Sequence, residues 1–161
     1  MLQYTFPASG GGEIRLTFDI ETVEQFNPGH VLVFPFYQGK ILMVQHQRRG
    51  WELPGGKVKY AEDPMAAAIR ETYEESGAIL KKLEWVGQYH IKSPRLELTK
   101  NIYYAEVYRL EALPKGFETR GIRLFSQPPT NVAGGEFSYI LKDQTYELTL
   151  EYLRATKRNP S

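Results

Sequence analysis

The sequence predicts one α/β domain of the α+β kind: a mixed sheet with helices packed on its faces. Three observations carry that expectation. Short apolar strands dominate the order of elements, a single well-capped helix sits near the middle, and a second amphipathic helix lies near the C-terminal end. No linker divides the chain, so the whole of 1–161 reads as one domain.

Gln3–Phe6 and Ile14–Phe18 read as strands joined by a turn at Gly10–Gly12, an N-terminal hairpin segment within 1–26. His30–Tyr37 reads as a buried strand. Gln38-Gly39-Lys40 turns it into a second strand, Ile41–His46. A polar loop, Gln47–Gly50, carries Arg48 and Arg49. Trp51-Glu52-Leu53 is extended and ends at Pro54-Gly55-Gly56. Asp63 is a good N-cap, Pro64 suits the first helical position, and Gly77 suits the left-handed terminator, so a helix is expected through Ser76. Strands follow at Leu83–Ile91, Asn101–Arg109 and Ile122–Phe125. An amphipathic helix is expected over Asp143–Arg154, with a polar tail to Ser161.

Composition excludes several classes. The chain has 20 basic and 19 acidic side chains, net +1, so nothing global draws it to DNA or to an anionic membrane. It contains no cysteine, which removes disulfides and thiolate metal sites and agrees with a cytoplasmic location. The N-terminus has no basic region followed by an apolar run, so no signal peptide is expected. The longest apolar run, Val31–Tyr37, is too short to span a membrane.

On a helical wheel Met65, Ala68, Ile69, Thr72 and Ser76 form one stripe, expected to pack on the sheet. Glu71, Glu74 and Glu75 form the neighbouring stripe, and their carboxylates are expected to converge. Three like charges repel unless a cation lies between them, and magnesium prefers such oxygens. A solvated acidic face is the ordinary meaning of such a run. The residues before the helix change the balance. Gly55 and Gly56 allow a tight turn and a close approach of backbone to ligand.

The full spacing is Gly56, five residues, Glu62, seven residues, Arg70-Glu71, two residues, Glu74-Glu75, one residue, Gly77. It resembles the Nudix box, Gly-x(5)-Glu-x(7)-Arg-Glu-U-x-Glu-Glu-x-Gly-U, at every fixed position. The box occupies residues 56–78. Its two aliphatic U positions hold the smaller Thr72 and Ala78. Further stretches resemble the MutT-like nucleoside triphosphatases of the YtkD type: Arg49–Lys57, Gly87–Tyr89, Lys100–Ala105, Phe117–Gly121 and Phe137–Asp143.

The resemblance implies a Nudix α/β/α sandwich and a magnesium-dependent hydrolase, with manganese as the substitute metal. It implies that Glu74 and Glu75 bind metal with the carbonyl of Gly55. Glu71 would be the general base or a further ligand, and Arg70 would orient it. Glu62 would brace the loop or touch metal-bound water, with Gly56 and Gly77 shaping the box. Glu118 is the candidate for a carboxylate from beyond the box, and an exposed loop glutamate is the equal alternative. Lys57, Arg48 and Arg49 are candidates for holding the phosphate tail.

For a base, Phe34, Phe36, Leu53 and Tyr103 are platform candidates but more often plain core, and Asn101 and Asn131 are possible edge readers. His46 and His90 lack metal-ligand spacing and read as structural. The resemblance favours purine nucleoside triphosphates, including 8-oxo-dGTP, cut to monophosphate and pyrophosphate. The alternatives are triphosphorylated RNA ends, ADP-ribose (suggested by Pro94) and a regulator that binds nucleotide without catalysis.

Overall fold

The computed structural model describes residues 2–21 and 27–158. Met1 and residues 22–26 of the expected N-terminal segment, and 159–161 of the expected tail, lie outside the described residues. The elements in order are β1 (Gln3–Pro7), β2 (Glu13–Thr17), β3 (His30–Tyr37), β4 (Lys40–His46), β5 (Gly50–Glu52), β6 (Gly55–Lys57), α1 (Pro64–Ser76), β7 (Ala78–Lys92), β8 (Glu97–Leu110), β9 (Thr119–Phe125), a 3-10 turn at Tyr139–Leu141 and α2 (Gln144–Ala155). Among the described residues no helix is long and apolar enough to cross a membrane.

The strands form one mixed sheet in the order β1-β2-β7-β8-β3-β4-β5. The pairing of β3 with β8 is parallel and the others are antiparallel. β3 has two partners along its other edge. β4 pairs with it at Phe36 and Tyr37, and β6 pairs with it at His30, Val31 and Leu32. β4 leaves β3 beyond that short contact and pairs with β5 and β9. The sheet therefore forks, and the fork positions the loop before α1.

Alternation along β3 and β8 splits the core between two faces. Leu32, Phe34, Phe36, Ile102 and Tyr104 pack with Leu141, Tyr146, Leu150 and Leu153 on the α2 face. Val31, Val33, Tyr103 and Ala105 pack with Ala67 and Ala68 on the α1 face. The aromatic residues suggested as a base platform are thus core residues divided between opposite faces. Phe34 and Tyr103 are only 0% and 1% exposed.

α1 begins and ends as its sequence requires. Asp63 accepts a hydrogen bond from the Met65 N–H at 2.8 Å, and Gly77 takes φ 78°. Its buried stripe differs from the expected one. Ala67, Ala68, Thr72 and Ser76 face the sheet, while Met65 and Ile69 are exposed. The reason is close approach: small side chains let the helix backbone lie near β3 and β6, and Thr72 and Ser76 satisfy their hydroxyls on the carbonyls of Ala68 and Thr72. Strands β7 and β8 are longer than the expected segments, because each continues the other's ladder through irregular register into polar residues. Pro94 lies in the turn between them, where the Ser93 N–H donates to Leu96 O.

Candidate active site

The Pro54–Lys57 segment is a strand rather than a tight turn. The Val33 N–H donates to Pro54 O, the Val58 N–H donates to Gly29 O, and β6 lies between them against β3. Neither Gly55 nor Gly56 has a positive φ. Their lack of a side chain serves contact within the protein. A β-carbon on Gly55 would stand 2.4 Å from Val31 O, and one on Gly56 would stand 2.5 Å from Glu71 Cδ.

α1 delivers its glutamates onto this strand. Glu75 Oε1 accepts the Gly55 N–H at 2.9 Å. Burial is the main cause that pushes the Glu75 carboxyl up to about 8, and the nearby Glu71 and Glu52 add to it. Burial likewise raises Glu71. Arg70 lies among the other acids. Its Nε and Nη2 donate to Glu62 at 2.8 and 2.9 Å, and its Nη1 donates to Glu71 at 2.9 Å and Glu74 at 3.0 Å. The Arg70 hydrogen bonds lower Glu62 to about 2. A further bond, from Arg70 Nη2 to Lys57 O at 3.0 Å, ties the helix to β6.

Glu71 and Glu74 therefore meet at one Arg70 nitrogen, and Glu75 is bonded to the strand beside them. Among the described residues no three acidic or histidine side chains stand ready as a finished metal-ligand set. The donor chemistry nevertheless fits a hard divalent cation. Two carboxylates with raised pKa are buried side by side, and a bound cation would favour the charged form of both.

Other candidates fall into place around this cluster. Glu118 is 71% exposed at its side chain, and its carboxylate accepts from His46 Nε2 at 2.8 Å. The backbone N–H groups of Arg48 and Arg49 donate to His46 Nδ1, which fixes Nε2 as the protonated nitrogen. His46 is thus the structural brace of its loop, as expected. The next residue, Thr119, donates its hydroxyl to Glu75 O at 2.7 Å, so Glu118 stands beside the end of α1. Arg48 and Lys57 are exposed. Arg49 is engaged elsewhere: its fork grips Glu52 through three contacts of 2.8 to 3.2 Å. That placement removes Arg49 from the set expected for phosphate, because its donors satisfy a carboxylate that is 2% exposed. Asn101 is buried between Gln88 and Tyr103, while Asn131 lines a cavity of about 320 Å³ at the N-terminus of α2. His90 is held by Thr99 at 2.7 Å.

Sequence reasoning missed Glu52, Lys100 and His30. Glu52 is buried and acts electrostatically on Glu75, and Lys100 lies within the fields of Asp143 and Glu52. Nothing local marks Lys100, whose charged neighbours come from other elements.

Residues 27–127 match the NUDIX domain family. Over 152 residues the chain is 38% identical to a Bacillus subtilis protein named "Putative 8-oxo-dGTP diphosphatase YtkD"; the match covers 94% of this chain and 96% of YtkD. The chain also superposes on a crystal structure of the Bacillus subtilis pyrophosphohydrolase BsRppH with TM-score 0.88 and 36% identity, covering 95% and 97% of the two chains. An ADP-ribose pyrophosphatase of the same organism is 31% identical over 86 residues, about half of each protein.

Proposed function

The chain belongs to the Nudix hydrolase family, and from that membership we propose that it cuts a nucleoside 5′-triphosphate group to monophosphate and pyrophosphate. The preferred substrates are free purine nucleoside triphosphates, including 8-oxo-dGTP. The observation that carries this reading is the placement of the half-buried Glu71 and Glu75 carboxylates against Gly56 and Gly55, where burial raises both above the ordinary carboxylate range. The likeness to YtkD supports the same substrate class.

Glu71, Glu74 and Glu75, with the Gly55 carbonyl and Glu118, would hold magnesium, or manganese in its place. When bound, the metal supplies charge neutralisation at the phosphate oxygens and a more acidic water. Glu71 would serve as the base toward the attacking water, and burial raises its carboxyl, which makes it the stronger base. Arg70 holds Glu71 and Glu74 in place through one shared nitrogen. Glu62 anchors Arg70 and, through the Lys59 N–H, the loop before the helix. Lys57 and Arg48 hold the outer phosphates.

A second reading keeps the same chemistry on the 5′ end of RNA, and the likeness to BsRppH over nearly the whole chain favours it as the alternative. The test is release of pyrophosphate and phosphate, with magnesium, from dGTP, 8-oxo-dGTP, GTP, ADP-ribose and a triphosphorylated RNA. Pyrophosphate from the free triphosphates supports the first reading. Cleavage of the RNA alone supports the second. AMP from ADP-ribose alone overturns both, and inactivity on the whole panel would leave only nucleotide binding.

A further inference from the structure

A row of nitrogen-bearing side chains crosses the α2 face of the sheet next to β6. The register sets Lys57 opposite His30, and His30 opposite Lys100. Directly paired residues project to the same face, and adjacent strands lie about 4.8 Å apart, so the three side chains stand abreast. That face is the one on which Leu32 and Phe34 of β3, and Ile102 and Tyr104 of β8, meet α2. Tyr89 extends the row: it pairs with Lys100, whose Nζ lies 5.6 Å from the Tyr89 ring centroid.

Two lysines beside an imidazole repel its protonated form. Burial first, then Lys100 and Lys57, hold the His30 pKa below its ordinary value. Among the described residues His30 Nδ1 is buried without a hydrogen-bond partner. Lys100 has Asp143, Glu52 and the Tyr89 ring as structural partners, but the described contacts give the His30 ring none. Lys57 is exposed, and His30 and Lys100 are partly exposed, so the row opens outward. It also adjoins the glutamate cluster. Lys57 O accepts from Arg70, and Glu52 and Arg49 act electrostatically on both Lys100 and Glu75.

We propose that Lys57, His30 and Lys100 form one subsite for the phosphate chain of the substrate, on the opposite side of β6 from the helix glutamates. This rests on the triphosphate reading of the active site. The lysines supply charge, and the imidazole donates to a phosphate oxygen from Nε2, the ring nitrogen opposite the enclosed Nδ1. A row spanning two strand spacings holds an extended polyphosphate rather than a lone oxyanion.

The test uses His30→Leu and Lys100→Met on the intact protein, with melting curves to verify folding. Charge-assisted hydrogen bonds of this kind correspond to roughly a tenfold change in affinity. KM for the triphosphate is expected to rise by about that factor in each variant, and inhibition by inorganic pyrophosphate to weaken in parallel. Folded variants with wild-type KM and wild-type inhibition overturn the proposal. If either variant fails to fold, the imidazole nitrogen resonances of the wild-type protein are followed during titration with pyrophosphate. A shift confined to His30 supports the subsite, and an unmoved His30 overturns it. Because the pyrophosphate titration needs no turnover, it still judges the row if the wild-type enzyme cleaves none of the triphosphates, an outcome that would sink the proposed function instead.

Discussion

The Glu71 carboxylate lies against the α-carbon of Gly56, so close that a β-carbon there would stand 2.5 Å from Glu71 Cδ and 2.6 Å from its Oε1. The neighbouring glycine faces a different obstacle, the Val31 carbonyl at 2.4 Å. The two alanine substitutions should therefore fail differently. Gly56→Ala pushes aside the end of a flexible side chain. It should lower kcat at least about tenfold while Tm moves by only a few degrees. Gly55→Ala meets fixed backbone of β3 and should destabilise the whole protein. Equal losses of stability in both variants would contradict this reading.

Glu74→Gln should lower turnover by at least about a hundredfold while leaving the melting curve near wild type. Its carboxylate is partly exposed and shares one Arg70 nitrogen with Glu71, so the fold has little invested in its charge. Activity close to wild type would remove Glu74 from the site.

Removing the metal should make stability depend on pH in a specific direction. Glu75 titrates at about 8 in the fold against 4.5 in the unfolded chain, so the folded state holds more protons between those values. Stability of the metal-free protein should therefore fall as pH rises from about 4.5 to 8, by something on the order of 2–4 kcal/mol at most. Glu62 works in the opposite sense lower down. Its pKa of about 2 means that its contribution is present above 4.5 and is lost as pH falls toward 2. Scanning calorimetry in chelator across this range should show the alkaline decline, and Glu75→Gln should flatten it. Added magnesium should restore stability at pH 8.

Arg49 and Arg48 should separate cleanly. Arg49→Met strands the Glu52 carboxylate, 2% exposed, without its partner and should cost about 2 kcal/mol or more. Arg48→Met should leave the melting temperature unchanged and raise KM for the triphosphate. Denaturant unfolding of the two proteins distinguishes them, and a silent Arg49 variant would mean that the pair contributes little.

Asp63→Ala removes the N-cap of α1 and should cost about 1 kcal/mol, near 3 °C in Tm, with kcat nearly preserved. A large loss of kcat instead would mean that the first turn of the helix is tied to the glutamates more tightly than its hydrogen bonds indicate.

The parts of the site readable in the sequence are those written locally. Asp63, Pro64 and Gly77 mark the ends of α1, and the spacing from Gly56 to Gly77 marks the family's motif. The orientation of the glutamates was not readable. A helical wheel places Glu71, Glu74 and Glu75 together, but it omits Arg70, whose planar fork collects two of them and Glu62 besides. The pairing of β6 with β3 was hidden because three residues, two of them glycine, show no strand pattern. His30 and Lys100 were hidden for a further reason: each is set beside the other by the parallel pairing of two strands distant in sequence.

The fork in the sheet sets how much the chain length can vary around it. β6 spans only Gly55–Lys57, and a slip of one residue against β3 would exchange its two faces. Lys57 would then point toward α1, and in one direction of slip it would take the place of Gly56 against Glu71. Between Leu53 and Asp63, insertion or deletion of even one residue should be poorly tolerated. The Ser93–Leu96 turn, remote in register from this segment, should accept a grafted loop or new chain termini, which makes it the place to open the protein for permutation or labelling.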